Sequence, residues 1–120
     1  MENVAILGAS NKSDRYSFMA LELLQQYNHS VYPVHPLLEE INGVKVYKDL
    51  DSITDKIDTL TVYVSPKHLV NSIDSIIKLN PKRVIFNPGT ESDEIISRIE
   101  GEGIKVLRAC TLVMLKTNQY

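Results

Sequence analysis

The sequence predicts an α/β fold in which a mainly parallel, five-stranded sheet lies between two layers of helix, with strand order 3-2-1-4-5. Three observations predict it. Apolar, β-branched runs alternate with segments of helical spacing along the chain. The first run, Val4-Ala5-Ile6-Leu7, is apolar without alternation, as in a strand covered on both faces. Three strands also end alike, in Val34-His35-Pro36, Val64-Ser65-Pro66 and Phe86-Asn87-Pro88. A parallel sheet gathers such endings on one rim.

Each element has its own local cause. Gly8 ends the first strand, and a loop rich in Ser and Asn follows. Residues 15–28 then place Phe18, Ala20, Leu21, Leu23, Leu24 and Tyr27 at the intervals of a helix face, with Ser13 or Asp14 as the cap. Val31-Tyr32-Pro33-Val34 is the second strand, and Pro33, which has no N–H for a ladder, places it near an edge or distorts it. Residues 37–50 are irregular, with a turn at Asn42-Gly43 and an extended piece at Val44-Lys45-Val46-Tyr47. Asp51 to Thr54 opens a short helical turn. Residues 58–64, rich in β-branched and aromatic types, are the third strand. Ser65 followed by Pro66 starts a helix whose inner face runs through Leu69, Val70, Ile73, Ile76 and Ile77 to about Leu79, where Asn80-Pro81 stops it. Arg83 to Phe86 is the fourth strand. Glu91 to Gly101 is a helix with Ile95, Ile96 and Ile99 inward, and Ile104 to Leu107 is the fifth strand. The apolar tail from Ala109 to Leu115 folds back on the sheet as a short helix.

At 120 residues the chain reads as one domain, 1–120, long enough for a core without disulfides. A net charge of −2 argues against a general nucleic-acid or membrane-surface role, so any anion site must be built locally. The single cysteine permits no internal disulfide and suits a reducing compartment such as the cytoplasm. Met1-Glu2-Asn3 has no positive leader and enters a strand at once, and no apolar run approaches the roughly 20 residues of a membrane span.

The order 3-2-1-4-5 reverses beside the first strand, and ligands sit at such a switch point, beyond the C-terminal ends of the strands. There Gly8-Ala9-Ser10 forms a small-residue turn between strand and helix, and Lys12 and Arg15 add positive charge. This layout aims backbone N–H groups and a helix N-terminus at an anion. Only one glycine of the dinucleotide pattern G-x-G-x-x-G is present. Glu91, Asp93 and Glu94 open the helix after the fourth strand and would repel a phosphate, which leaves loop 1 for phosphate and loop 4 for neutral parts of the ligand. A nicotinamide dinucleotide site wants an acid at the end of the second strand, where this chain has His35 and Pro36. His29, His35, His68 and Cys110 show no metal-ligand spacing, and no Ser-His-acid set or other catalytic residue can be assigned. Cys110 follows the fifth strand and so lies near the rim.

These residues together resemble the stand-alone CoA-binding domain proteins, a small Rossmann-like family related to the CoA-binding domain of succinyl-CoA synthetase alpha subunits. The resemblance rests on the order and spacing of Ala5–Ser10 with Arg15, Val31–Pro36, Val62–Pro66, Asn87–Thr90 with Glu91, and Ala109–Leu115. It implies a Rossmann-like three-layer fold and coenzyme A or an acyl-CoA as ligand. On that resemblance Gly8, Ala9 and Ser10 lie against the diphosphate and Lys12 and Arg15 meet phosphate charge. His35, Pro36, Ser65 and Pro66 flank the adenosine, and Asn87, Pro88 and Gly89 border the pantetheine arm. Many members carry Asn where this chain has His35. The leading reading is a non-catalytic module that binds or senses CoA, as a dimer or with a protein partner. The alternative is an enzyme, either a nicotinamide-dependent oxidoreductase or a small subunit of an acyl-CoA synthetase.

Overall fold

The first strand is the centre of the molecule. In the computed structural model, which describes residues 1–120, Val4, Ala5 and Ile6 have no exposed surface. They belong to β1 (Asn3–Leu7), which is followed by α1 (Tyr16–Gln26) and β2 (Ser30–Val34). A hairpin of β3 (Glu40–Ile41) and β4 (Val44–Lys45) comes next, then a 3₁₀ turn at Leu50–Ser52 and β5 (Thr59–Val62). The second half runs through α2 (Pro66–Leu69), a 3₁₀ turn at Val70–Ser72, α3 (Ile73–Leu79), β6 (Arg83–Phe86), α4 (Asp93–Glu100), β7 (Lys105–Arg108) and α5 (Thr111–Lys116). The five-stranded sheet has the order β2-β1-β5-β6-β7, parallel throughout.

Alternate residues of each strand feed two cores. Ala5, Leu7, Leu60, Val62, Val84 and Phe86 face Ile73 and Ile76 of α3 and Ile95, Ile96 and Ile99 of α4. Val4 and Ile6 face Leu21 and Leu24 of α1 and Leu115 of α5. The expected α/β sandwich is therefore present, with the tail returning as the short helix α5.

The doubly wound layout, reversing beside β1, agrees with the sequence. The segment at the third position is corrected: residues 58–64 do not lie beyond the second strand but beside the first, where β5 pairs with β1. The outer place belongs to Tyr47, which makes one parallel bridge with Val34. Its N–H donates to the Pro33 carbonyl at 2.8 Å, and its carbonyl accepts from the His35 N–H at 2.9 Å. The reason is burial and donor chemistry. All four β5 residues are buried, which suits an inner strand, whereas proline is confined to edges.

Three local expectations also change. Asn42-Gly43 does turn the β3–β4 hairpin, both at positive φ (53° and 81°), but the helix predicted over 66–79 is broken at Val70–Ser72. Asn71 and Ser72, residue types that are weak helix formers, lie at the break. The α1 cap is Arg15, not Ser13 or Asp14, because a turn with the Arg15 N–H donating to the Lys12 carbonyl sets the helix start one residue later. The α4 helix begins after Ser92, which leaves Glu91 ahead of it.

The N-terminal ends of the strands carry a polar cluster opposite the rim discussed below. The Thr59 hydroxyl donates to Glu2 at 2.8 Å and accepts from Arg83 Nε at 2.8 Å, and the Arg83 guanidinium lies over the Tyr120 ring. His29 Nδ1 accepts from the Glu2 N–H at 3.0 Å and its ring packs on Tyr120. Burial holds the His29 imidazole below its ordinary 6.5. The unfolded chain therefore binds the His29 proton more readily than the folded one. Stability from this group is complete above pH 6.5 and falls as the pH drops below it. Asp58, held low by its hydrogen bond from the Asn3 N–H and by Lys82, adds a loss of the same sign at more acidic pH. We expect the urea midpoint to be lower at pH 5 than at pH 7, and His29→Gln to flatten that difference. A midpoint that rises on acidification contradicts this account.

Candidate functional site

A cleft of about 1100 Å³ opens at the C-terminal ends of the strands. It lies at the junction of β1, β2 and β5, where the winding of the sheet reverses. Loop 1 forms one side. Gly8 has φ +90°, and the Ala9 N–H donates to the Val34 carbonyl at 3.1 Å, which ties the loop to β2. The Ser10 hydroxyl accepts from the Lys12 N–H at 3.1 Å and rounds the turn. The chain then enters α1 with no side-chain cap and no acidic residue in the first turn. An uncapped helix start has unpaired N–H groups and the positive end of the helix dipole. Lys12 and Arg15 line the cleft beside it, and neither is in an ion pair.

The contrast with α4 is direct. Ser92 accepts from the Ile95 N–H, and Asp93 and Glu94 lie in the first turn, so that helix start supplies its own anions. Arg108, at the same rim, is ion-paired with Asp93, which raises its pKa further. Of the two helix starts, only that of α1 is left open to an external anion.

The second wall comes from the crossover between β2 and β5. His35 Nδ1 accepts from the N–H groups of Leu37 (3.0 Å) and Leu38 (3.1 Å). An Asn side chain braces a turn in the same way, through its carbonyl oxygen. The Tyr47 bridge sets Lys48 beside His35, and both line the cleft with Asp49 and Asp51. Asp49 is occupied in capping the 3₁₀ turn through the Ser52 N–H and hydroxyl, which hold its carboxyl below the usual range. Lys48 is in no ion pair.

Of the residues that the sequence singles out, Gly8, Ala9, Ser10, Lys12, Arg15, His35, Pro36 and Pro88 line this one cleft. Ser65, Pro66, Asn87, Gly89 and Cys110 do not line it. Ser65 is the N-cap of α2 but its hydroxyl makes no capping bond. Cys110, half-buried, is the N-cap of α5. Asn87 is 2% exposed, and its side chain is used inside the protein. Its Nδ2 donates to the Thr61 hydroxyl (2.7 Å) and to the Val62 carbonyl (2.8 Å), and its Oδ1 accepts from the Thr111 N–H (2.9 Å). Asn87 therefore joins β5, β6 and α5, and it is the neighbouring Pro88 and Thr90 that reach the cleft.

Several cleft residues carry no local sequence signal. Lys48 lies within an irregular stretch and Asp51 just after it, and Asn71, Ser72 and Ser75 reach the wall at or just after the break between α2 and α3. His68, on α2, also faces the cleft. Tyr63 lines it after β5, with its hydroxyl shielded from solvent and unpartnered; burial pushes its pKa up to about 12, so it stays protonated. No group of His, Cys, Asp and Glu could hold a metal ion, and no helix is long and apolar enough to cross a membrane.

Comparisons with known proteins agree with this fold. Residues 2–116 match the family model described as a CoA binding domain. The ADP-forming acetate–CoA ligase of Methanocaldococcus jannaschii is 35% identical over 72 residues, which are 60% of this chain and 10% of that enzyme. The chain thus matches about a tenth of the length of that ligase. Among solved structures, an uncharacterised protein superposes with a TM-score of 0.94 at 36% identity, over 100% of this chain and 98% of the other. Acetyl-coenzyme A synthetase 1 of Ca. Korarchaeum cryptofilum superposes at 0.79 and 25% identity, over 90% of this chain and 25% of that one. With a Rossmann-like sheet, a ligand-sized cleft at its switch point and a family match over nearly its whole length, this chain belongs to the CoA binding domain family.

Proposed function

We propose that the cleft binds coenzyme A or an acyl-CoA, and that the chain acts as a non-catalytic binding or regulatory module in the cytoplasm. The observation that carries this reading is the uncapped, acid-free start of α1, opening into the cleft between Lys12 and Arg15. The diphosphate lies against Gly8, Ala9 and Ser10, with Lys12 and Arg15 as its counter-charges. The adenosine lies towards His35 and Pro36 and, on the other side, Ser65 and Pro66. The pantetheine arm runs past Pro88 and Gly89 towards Cys110. Asn87 shapes this end of the cleft by holding β6 to α5 instead of touching the ligand.

A second reading, as the CoA-binding part of an acyl-CoA synthetase, is favoured by the likeness to ADP-forming ligases. In that case the acyl-transfer chemistry belongs to other domains or subunits. A nicotinamide-dependent oxidoreductase is the weaker alternative, since the β2 end has His35 where an acid would hold ribose hydroxyls.

Isothermal titration with CoA, acetyl-CoA, ADP and NAD tests the proposal. We expect CoA and acetyl-CoA to bind well above ADP and NAD. Replacing Lys12 and Arg15 together by Ala removes two charge-assisted contacts and should weaken CoA about 100-fold. Unchanged CoA affinity in that double variant rejects the phosphate assignment, and equal binding of every ADP-containing ligand reduces the cleft to a general nucleotide site.

A further inference from the structure

We infer that His35 and Lys48 form a reader for a phosphomonoester on the ligand's ribose, so that this wall selects a phosphorylated nucleotide over its free-ribose counterpart. The inference rests on the CoA-binding reading for the position of the ligand, and adds a specificity determinant to it.

The argument starts from hydrogen-bond chemistry. A neutral imidazole has one donor nitrogen and one acceptor nitrogen. His35 Nδ1 receives two backbone N–H groups, those of Leu37 and Leu38, so it must be the acceptor and the ring proton must be on Nε2. The side chain that lines the cleft at the end of β2 therefore offers a donor and no acceptor. A free ribose edge presents hydroxyl groups that an Asp or Glu at this place would accept. A locked donor is the opposite arrangement, and it matches oxygen atoms that only accept, as those of a phosphate do.

The charge beside it points the same way. The His35 N–H donates to the Tyr47 carbonyl at 2.9 Å, so the next residue, Lys48, is fixed beside His35 by the backbone. Arg83, Arg98, Arg108 and Lys82 are all ion-paired, whereas Lys48 is not. Lys12 and Arg15 stand on loop 1 and Lys48 on the crossover wall of the same cleft. The cleft thus has two separate positive places, one for a diphosphate at the α1 start and one for a second anionic group beyond the sugar. Asp49 is held by Ser52, and Asp51 is the one remaining carboxylate on that wall. Asp51 is the residue that would take free ribose hydroxyls if the inference were wrong.

Ribose phosphomonoesters occur at the 3′ position in CoA and at the 2′ position in NADP, and the experiment separates them. The full chain is titrated with CoA, dephospho-CoA, NADP and NAD, as wild type, Lys48→Ala, His35→Asn and Asp51→Asn. The exposed Lys48 and Asp51 make no structural hydrogen bond, so their variants should fold normally, as checked by thermal melting. We expect wild type to bind CoA at least about tenfold tighter than dephospho-CoA. Lys48→Ala should cancel that preference by weakening CoA alone. His35→Asn, which keeps an acceptor for the loop but loses the Nε2 donor, should narrow it. Asp51→Asn should leave dephospho-CoA unchanged or improve CoA.

Equal affinity of wild type for CoA and dephospho-CoA overturns the inference while the CoA reading stands. A Lys48→Ala variant that weakens both equally also overturns it. Lys48-dependent preference for NADP over NAD, with no binding of CoA, upholds the phosphate reader and rejects CoA as its ligand. Binding of none of the four rejects both.

Discussion

Gly8→Ala should cost about 3 kcal/mol of folding stability and abolish CoA binding at the same time. Gly8 has φ +90°, where a residue with a Cβ is strained. The added Cβ would lie 2.7 Å from Val64 Cγ1, and 3.1 and 3.2 Å from the carbonyl carbon and oxygen of Tyr63. The valine methyl can turn aside, but the Tyr63 backbone cannot. It is held by its N–H donating to the Leu7 carbonyl at 2.8 Å, the last bond joining β5 to β1. Backbone strain of about 1–2 kcal/mol and overpacking of about 1–3 kcal/mol add to the figure given. A domain of this size has only about 5–15 kcal/mol in total. Relief of the clash would displace loop 1, with Ala9, Ser10 and the start of α1. Urea unfolding and CoA titration of the variant check both effects. Stability within about 0.5 kcal/mol of wild type, the range of ordinary surface changes, would contradict the tight junction described here.

Asn87→Ala should be equally costly, for a different reason. The side chain meets three buried groups, two on β5 and one on α5, and its loss leaves the Val62 carbonyl and the Thr111 N–H without this partner. Unsatisfied buried groups cost about 1–3 kcal/mol each, so a loss of about 3–4 kcal/mol is expected. The Thr61–Thr111 hydroxyl pair, at 2.8 Å, is then the buried side-chain hydrogen bond left between α5 and the sheet, beside the packing of Leu115. Because Cys110 is the N-cap of α5, its half-buried thiol should react faster with a thiol reagent in the variant. Asn87→Asp should be at least as harmful, since a carboxylate retains the acceptor for Thr111 but loses both donors. Wild-type stability together with unchanged Cys110 reactivity would show that Asn87 is not the joint between β6 and α5.

Those two residues show what could be read from the chain alone. Gly8 was legible because a lone glycine after a doubly buried strand announces a sharp turn. Asn87 was legible as a residue at the rim, but its direction was not. The clue lay in β5, where Thr59 and Thr61 alternate with Leu60 and Val62 and so direct two hydroxyls to one face. A buried polar column there needs a partner, and Asn87 is that partner for Thr61. The strands of the large sheet were legible to within one or two residues at each end because runs of apolar and β-branched types depend only on local composition. The place of β5 in the sheet was not, although Pro33 already favoured an edge for β2. Lys48 was invisible for a physical reason: a single bridge between Tyr47 and Val34 brings it to the cleft, and no periodic pattern encodes one bridge. The departure at His35 was legible as a difference from other members, and the structure shows an imidazole doing the turn-bracing work of an amide.

The crossover that carries Lys48 has a consequence for association between copies of the chain. It contributes Ile41 and Val46 to the core on the α1 side, and Leu50, Ile53 and Ile57 to the core on the α3 side. It therefore wraps around the outer side of β2, with the Tyr47 bridge in the middle of the wrap. An open strand edge is a template for pairing with a neighbouring chain and so for aggregation. Here one edge is covered by the same segment that builds the cleft wall. The other edge is β7, which is four residues long, with exposed Lys105 at one end and Arg108, ion-paired with Asp93, at the other. Any growth of the sheet into a second molecule is thus directed to a short strand flanked by charged side chains, which opposes it.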